Sequence, residues 1–319
     1  MRILVLTSTP REPDNHLLWE GLRRFAEVDV RHIEKKRQRS LRKVFSTIDF
    51  SIYDRTIIDL RFRYLSRQAG QLSAIRGLTI YEEDAYQDFI VGSRWHGKFS
   101  AFYRKVPHAR IIFTGFYVSE RFRAMGFDAY FLPKGYDSSK IYAINGIRDI
   151  ELGFIGRIAS SAYQQRRTLL QKATDDFGLQ AMRTDPGDEY RETLNRIRIF
   201  VSADIGLDEY MAKNFEAMAC GCVLLAHRQG NGEEEALGLV DGENLLLYGD
   251  YQEFTEKLSL LRQDDALAAR LAQQGEILAK NHFDYFKLSE KLFVYLSAEI
   301  PIEPRPSLYR RLLNRLFKP

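Results

Sequence analysis

The chain has 319 residues and a formal net charge of +4, with 45% hydrophobic and 28% charged side chains. These values exclude a disordered segment and a mini-protein, and they indicate a globular chain long enough for two domains. Its two cysteines, Cys220 and Cys222, are too close for an ordinary disulfide and too few for a structural zinc site. We therefore expect a protein of a reducing compartment, with both cysteines packed as small buried hydrophobes.

Positive charge is concentrated in two short segments. Residues 35–43 carry six basic side chains and residues 305–318 carry five, in both cases without an acidic side chain. The rest of the chain is acidic, so these segments are the predicted contacts with an anionic surface. For residues 35–43, a solvated loop or helix face and a phosphate-binding role are both open.

A basic amphipathic helix is predicted over residues 308–318. Its apolar and basic side chains fall on opposite halves of a helical wheel, which is typical of a segment lying in a membrane interface. The side chains assigned to the membrane are Arg310, Arg311, Leu312, Arg315, Leu316 and Phe317. The alternative is a terminal helix docked on the protein's own core. No apolar run reaches the roughly 20 residues that span a bilayer, and the N-terminus does not resemble a signal peptide. We therefore expect a cytoplasmic protein that is peripheral at the inner membrane face.

In the N-terminal half, strands and helices alternate. Strands are predicted at 3–6, 28–33, 55–59, 78–81, 110–114 and 129–132, with helices at 16–25, 62–74 and 120–125. Such alternation indicates a parallel sheet covered on both faces. The turn-rich segment 133–149 has no periodic apolar pattern and is predicted to be a linker.

After the linker the alternation restarts. Strands are predicted at 151–154, 199–203, 223–226 and 244–247, with helices at 164–177, 213–220, 251–262 and 264–280. We therefore predict the α/β class, with two Rossmann-like doubly wound domains that face a cleft. The predicted domains are residues 1–140 and 148–282, with the helices of 283–319 crossing back to the first. Ligands of open parallel sheets bind outside the carboxyl ends of the strands.

The stretch from Asp208 to His227 (DEYMAKNFEAMACGCVLLAH) is the most informative part of the sequence. Lys213 and Asn214 open a predicted helix, whose N-terminus offers free N–H groups and positive partial charge to a diphosphate. Glu216, about one turn later, is then placed to reach the ribose hydroxyls of the nucleotide.

The run NFEAMACGCVLLAH, followed by LVDGENLLLYGDYQEFTEKL, resembles the donor half of two-domain GT-B glycosyltransferases, particularly the retaining enzymes with an acid-x7-acid motif. The resemblance implies that Glu216 holds the ribose and that Asp208, eight residues earlier, lies beside the transferred sugar. Glu209 is the alternative first acid, off by one position. The sequence departs from the pattern in having Asp in first place and no glycine between the two acids.

A second resemblance lies after the first strand of the second domain, in GFIGRIASSAYQQRRTLL. Gly156-Arg157 and the later Arg166 resemble the subgroup that includes the spore-maturation glycosyltransferases. The resemblance implies a cation that neutralises the departing nucleotide diphosphate and thereby stabilises the transition state more than the ground state. The candidate cations are Arg157, Arg166 and Lys213. Adjacent helical residues point about 100° apart, so at least one of Arg166 and Arg167 is expected on the helix surface.

Candidates for the acceptor side lie in the N-terminal domain: His16 follows the first strand, Asp84 follows the strand at Tyr81, and His96 lies in the run GSRWHGKF. An acid of the 82–84 run is placed for general-base chemistry in an inverting reaction. The alternatives are ordinary surface histidines and a solvated acidic loop. In the second domain, glutamates 233–235 occupy a loop near the donor sugar, and we expect two of the three to be solvated.

The sequence has no HExxH, no CxxC and no isolated DxD motif in a strand-to-loop setting, so we expect no metal and no cofactor. The predicted function is a glycosyltransferase of hexosyltransferase type that moves a sugar from a nucleotide-sugar. Its predicted acceptor is a membrane-associated glycan or glycolipid, such as lipopolysaccharide or a similar cell-envelope polysaccharide. The reaction is predicted to retain the configuration at the anomeric carbon, and no nucleic-acid partner is expected. A sugar-nucleotide epimerase of the same fold and a non-catalytic glycan- or membrane-binding protein stay open.

Overall fold

The structure is a computed structural model that describes residues 1–9, 15–158 and 164–300. The chain divides into two compact units. Unit 1 comprises residues 1–114, 118–132 and, within the described part, 289–300. Unit 2 comprises residues 115–117 and 133–288. The tail helix predicted over 308–318 lies outside the described residues.

Unit 1 is built on a six-stranded parallel sheet with the strand order β2-β1-β3-β4-β5-β6. Its strands are β1 (Arg2–Thr9), β2 (Glu27–Glu34), β3 (Arg55–Asp59), β4 (Leu78–Glu82), β5 (Arg110–Phe113) and β6 (Ala129–Phe131). The helices along this half of the chain are α1 (His16–Leu22), α2 (Leu41–Phe45), α3 (Phe62–Leu65), α4 (Ala69–Leu72), α5 (Lys98–Tyr103) and α6 (Phe116–Ala124). All five residues of β4 and all four of β5 are buried, as expected for parallel strands covered on both faces.

Unit 2 is built on a five-stranded parallel sheet with the order β11-β10-β9-β7-β8. Its strands are β7 (Ile150–Ile155), β8 (Gln180–Met182), β9 (Ile197–Ser202), β10 (Val223–His227) and β11 (Leu246–Tyr248). The helices are α7 (Gln164–Phe177), α8 (Asp188–Arg196), α9 (Ala212–Ala219), α10 (Glu233–Leu237), α11 (Tyr251–Gln263), α12 (Asp265–His282) and α13 (Tyr285–Ser297). The strand order reverses between β7 and β9, which is where open sheets of this kind bind ligands. Two parallel α/β sheets confirm the predicted fold class.

Helix α13 begins in unit 2 and ends in unit 1, where it is held at its C-terminal end. The buried Arg110 donates to the carbonyl oxygens of Tyr295, Ala298 and Glu299, and Arg55 donates to Leu296 and Ala298. Guanidinium groups at these orphan carbonyls are favourable because a helix C-terminus carries negative partial charge. Arg110 also forms a 2.9 Å ion pair with Asp128. The end of α13 is therefore an integral part of unit 1.

Several predicted elements are wrong in detail: α1 ends at Leu22 and not at 25, and α6 begins at Phe116 and not at 120. The single helix expected over 62–74 is the two short helices α3 and α4. Its interruption is at Gln68, whose side chain accepts from the Leu41 N–H and donates to the Gln38 carbonyl. The strand expected over 244–247 starts two residues later. Asn244 instead closes a turn, with its side chain bonded to the backbone of Gly238 and Val240.

Candidate active site

Asp204 is the centre of a polar cluster at the carboxyl end of β9. Its fully buried carboxylate accepts hydrogen bonds from Arg166 at 2.6 Å, from the Asn214 side chain at 2.7 Å and from the Met211 N–H at 3.1 Å. Burial by itself would raise the pKa of Asp204, but the charges of Lys213 and Arg166 hold it below its ordinary value. The cluster thus joins α7 and the start of α9 through one carboxylate. Sequence reasoning missed Asp204, although an aspartate directly after the apolar run IFVSA was a signal for it.

Lys213 lies in the first turn of α9, beside Gly156 after β7. Its Nζ is 3.9 Å from Asp204 Oδ1 and 4.4 Å from the centre of the Phe154 ring. A Cβ on Gly156 would lie 3.1 Å from this Nζ and 3.0 Å from the Phe154 ring, so glycine makes room for the ammonium group. Burial lowers the pKa of Lys213 to about 8. The structure therefore brings together two predicted site residues that are 57 positions apart.

Arg166 and Arg157 have different environments. Arg166 is buried and donates to Asp204 and to the Ala203 carbonyl, so its guanidinium is used within the protein. Arg157 is exposed, and its backbone carbonyl accepts a weak bond from Arg166 at 3.5 Å. Arg167 is exposed beside the buried Arg166, which confirms that one of the two arginines lies on the helix surface. Arg157 thus has an exposed charge after β7, whereas Arg166 stabilises Asp204.

Glu216, one turn after Lys213, is half-buried and accepts a 2.5 Å hydrogen bond from the Tyr190 hydroxyl. Tyr190 belongs to α8. Burial raises its pKa well above the ordinary value, so the hydroxyl stays protonated and donates to the carboxylate. Lys213 is close enough for the charge of Glu216 to raise the lysine pKa, against the effect of burial. Sequence reasoning did not find Tyr190 because it lies 26 residues from Glu216 on another helix.

Comparisons with known proteins agree with this geometry. Residues 149–293 match a family described as glycosyl transferase-like. Anabaena HepE in complex with UDP-glucose is similar at a TM-score of 0.66 and 15% identity, over 93% of this chain and 99% of that chain. Sucrose-phosphate synthase from Thermosynechococcus elongatus is similar at a TM-score of 0.65 and 13% identity, over 99% of this chain and 100% of that chain. An alpha-glucosyltransferase in complex with UDP-glucose and DNA containing an abasic site is similar at a TM-score of 0.57 and 11% identity, over 93% of this chain and 100% of that chain. No curated protein sequence matches the chain.

The chain has the GT-B fold, and residues 149–293, which include most of its second unit, form a glycosyl transferase-like domain. The matched residues 149–293 contain the Asp204 cluster, Lys213 and the pair formed by Tyr190 and Glu216. The predicted fold and enzyme class are therefore confirmed.

The two candidates for the first acid of the glycosyltransferase domain differ in environment. Asp208 is half-buried and has a φ of +55°, a left-handed conformation that is rare for a residue other than glycine and is often found at functional sites. Glu209 is buried and forms a 2.8 Å ion pair with the buried Lys134. Its carboxylate is thus neutralised inside the protein. Of the two acids, Glu209 is therefore the one whose charge is used in a buried ion pair.

Glutamates 233–235 begin helix α10 of the glycosyltransferase domain, and the expectation that two of them are solvated is wrong. Glu233 and Glu234 are buried, and Glu235 is exposed. Glu234 accepts from the Tyr210 hydroxyl and from the N–H groups of Gln229 and Gly230, so it holds the loop after β10 in place. Burial raises the pKa of Glu233 to about 8, and its carboxyl group accepts from the Tyr117 N–H. Both side chains satisfy backbone groups that burial would otherwise leave unpaired.

The acceptor-side candidates lie in unit 1. His16, Asp84 and His96 are all exposed, with His16 at the first residue of α1 and Asp84 two residues after β4. The neighbouring Glu82 is fully buried at the end of β4, and burial raises its pKa well above the ordinary value. Of the acids at 82–84, Asp84 is therefore the exposed one, and it lies two residues after β4.

Within residues 1–9, 15–158 and 164–300, no group of three or more His, Cys, Asp or Glu side chains is arranged to hold a metal ion. No helix in the same residues is long and apolar enough to cross a membrane. Both cysteines are buried, as predicted.

Proposed function

We propose that this glycosyltransferase transfers a hexose from a nucleoside diphosphate sugar to a glycan or glycolipid acceptor. The observation that supports it best is the Lys213 ammonium group at the start of α9, beside Gly156 and at the switch point of the sheet. A helix N-terminus and a partly buried cation at this position suit a diphosphate. UDP-glucose is the first donor to test, because HepE was crystallised with it.

In the proposed reaction, Lys213 neutralises the charge that develops on the diphosphate as the sugar bond breaks. A fixed cation in a partly desolvated site stabilises this developing charge more than it stabilises the substrate. Asp204 holds Lys213 in place, and Gly156 leaves the space for it. Arg166 supports the same arrangement indirectly, through Asp204.

Glu216 binds the ribose hydroxyls in this proposal, and Tyr190 orients its carboxylate. Asp208 lies beside the transferred hexose. We propose retention at the anomeric carbon, by front-face substitution in which the departing diphosphate helps to deprotonate the acceptor. The cations involved are protein side chains, and neither a metal nor another cofactor is part of the scheme.

The proposed acceptor is a lipid-linked or lipopolysaccharide-type glycan at the inner membrane face. The basic segments 35–43 and 305–318 support it, since an anionic bilayer attracts clustered Lys and Arg side chains. Deletion of residues 305–319 is expected to weaken binding to vesicles that contain phosphatidylglycerol. Unchanged vesicle binding by the truncated protein would contradict the membrane part of the proposal.

The donor assignment is tested by titrating UDP and UDP-glucose into the purified chain and by analysing products for transferred or isomerised sugar. Glu216→Ala is expected to lose most of the affinity for UDP-glucose. Glu243→Ala, which removes a glutamate from a turn of the same unit, is expected to retain it. Equal affinity in all three proteins would refute the donor site, whereas an isomerised sugar without transfer would support an epimerase.

A further inference from the structure

A basic cup of about 570 Å³ lies within unit 1, away from every residue assigned above to the donor. Its walls come from the segment after β2, from α3 and the turn that follows it, and from the region of α5. The cup contains five basic side chains and no acidic one among the described lining residues; they are Arg39, Arg63, Arg67, Lys98 and Lys105. Its volume lies within the range of roughly 300–1,000 Å³ that is usual for small-ligand pockets.

The positive charge of the cup is not neutralised within the described part of the chain. All five basic side chains are exposed, and none forms an ion pair with a described carboxylate. Like charges placed around one concavity repel each other and raise the local concentration of anions. Arg67 and Lys98 thus face a space in which a bound anion would reduce their mutual repulsion.

Aromatic rings form the apolar part of the cup. Trp95 is half-buried and fixed by an edge contact to Phe62 at 5.3 Å, and the Lys98 ammonium lies 5.6 Å from its ring centre. The Arg63 guanidinium lies 4.6 Å from the Tyr64 ring centre and donates to the Tyr64 hydroxyl at 2.8 Å. An aromatic surface next to cations fits a ligand with both a ring face and anionic groups.

The base of the cup is fixed by hydrogen bonds of a buried side chain. Gln68 lies at its base and is buried. Its side chain accepts from the Leu41 N–H at 2.7 Å and donates to the carbonyls of Gln38 and Tyr64. One carboxamide therefore joins the segment after β2 to α3 and fixes the spacing of Arg39 relative to Arg63.

We propose that the basic cup binds a phosphorylated saccharide. Arginine guanidinium groups recognise phosphate through paired N–H donors, and the Trp95 and Tyr64 rings supply the surface for a sugar ring. The proposal deepens the proposed function by giving the acceptor a phosphate-bearing sugar, and only this acceptor role rests on that function. Binding itself depends on unit 1 alone.

Binding is measured by calorimetry with glucose 6-phosphate, glucose and inorganic phosphate at equal ionic strength. Glucose 6-phosphate is expected to bind at least about tenfold more tightly than either of the other two, a ratio that corresponds to about 1.4 kcal/mol. The double variant Arg67→Glu/Lys98→Glu is expected to lose this affinity by about tenfold or more. The matched control is Arg76→Glu, which changes an exposed basic side chain of unit 1 outside the cup.

The position of the ligand is read from Trp95 fluorescence in a Trp19→Phe background, since these are the two tryptophans of the chain. Glucose 6-phosphate is expected to change this signal, and the double variant is expected to abolish the change. An equal loss of affinity in Arg76→Glu, or equal affinity for inorganic phosphate, would overturn the proposal.

Two further arms separate the sources of phosphate. Binding of phosphatidylglycerol vesicles without binding of glucose 6-phosphate would overturn the saccharide assignment in favour of a membrane contact. A single-stranded oligonucleotide that binds more tightly than glucose 6-phosphate would overturn it in favour of nucleic acid. UDP-glucose is titrated into the same preparations, so a failure of the donor site is recorded separately from a failure of the cup.

Discussion

Replacing Lys213 by Met is expected to strengthen folding and weaken donor binding at the same time. The substitution keeps most of the volume beside Phe154 and removes the ammonium group that lies 3.9 Å from Asp204. Because the charged form is buried, its pKa falls from 10.5 to about 8. Asp204 keeps its bonds from Arg166 and Asn214 after the substitution, so its carboxylate remains paired.

The sign for stability follows from the lowered pKa. Protonation of Lys213 favours the unfolded chain, so this group destabilises the fold below pH 8, and the penalty disappears as the pH rises from about 8 to 10.5. A shift of this size corresponds to at most about 3 kcal/mol at pH 7, a value that already includes the attraction to Asp204. We expect Lys213→Met to raise the free energy of unfolding at pH 7 by about 1–2 kcal/mol.

The sign for binding is opposite. A charge-assisted hydrogen bond contributes about 1.5–3 kcal/mol, so Lys213→Met is expected to weaken UDP binding by about 10- to 150-fold. In the wild type the charged fraction of the free protein falls from about 90% at pH 7 to about 10% at pH 9, and UDP affinity is expected to fall with it. The variant is expected to show a flatter pH dependence over this interval.

Urea unfolding at pH 7 and calorimetry with UDP at pH 7, 8 and 9 measure both effects. Lys287→Met serves as the matched control, since it removes an exposed ammonium group from the same unit. The reasoning is refuted if Lys213→Met binds UDP within twofold of the wild type, or if its affinity declines with pH as steeply as that of the wild type.

Two other substitutions probe the positioning residues. Arg166→Met leaves the fully buried Asp204 without its closest cation and is expected to lower the free energy of unfolding by about 3–5 kcal/mol, whereas Arg167→Met on the same helix is expected to change it by less than about 0.5 kcal/mol. Urea unfolding compares the two, and equal stabilities would show that the ion pair does not support the fold. Tyr190→Phe removes the hydroxyl that donates to Glu216 and is expected to weaken UDP binding by about 3- to 10-fold. With 2′,3′-dideoxy-UDP the same substitution is expected to have little effect, and an equal effect on both ligands would argue against ribose binding by Glu216.

The strands could be predicted from the sequence because their signal is local. Strands β3, β5 and β10 each contain a short run of consecutive apolar residues, and each strand is found within one residue of where it was expected. Helices whose ends depend on distant groups were placed less well. Gln68 lies between α3 and α4, where its side chain bonds to the backbone of Gln38 and Leu41, and no pattern near Gln68 indicates such partners.

The sequence by itself determined the alternation of strands and helices, the two-sheet α/β class and the placement of Lys213 and Glu216 in the first turns of one helix. These properties follow from the periodicity of apolar residues and from spacings of a few positions. Such local patterns do not depend on residues far away in the sequence. Only the tertiary structure decided that Asp204 pairs with Arg166, that Gly156 makes room for Lys213 and that Glu209 is neutralised by Lys134. Each of these contacts joins residues 38 to 75 positions apart, where the free energy of burying a charge selects its partner in space and leaves no local trace in the sequence.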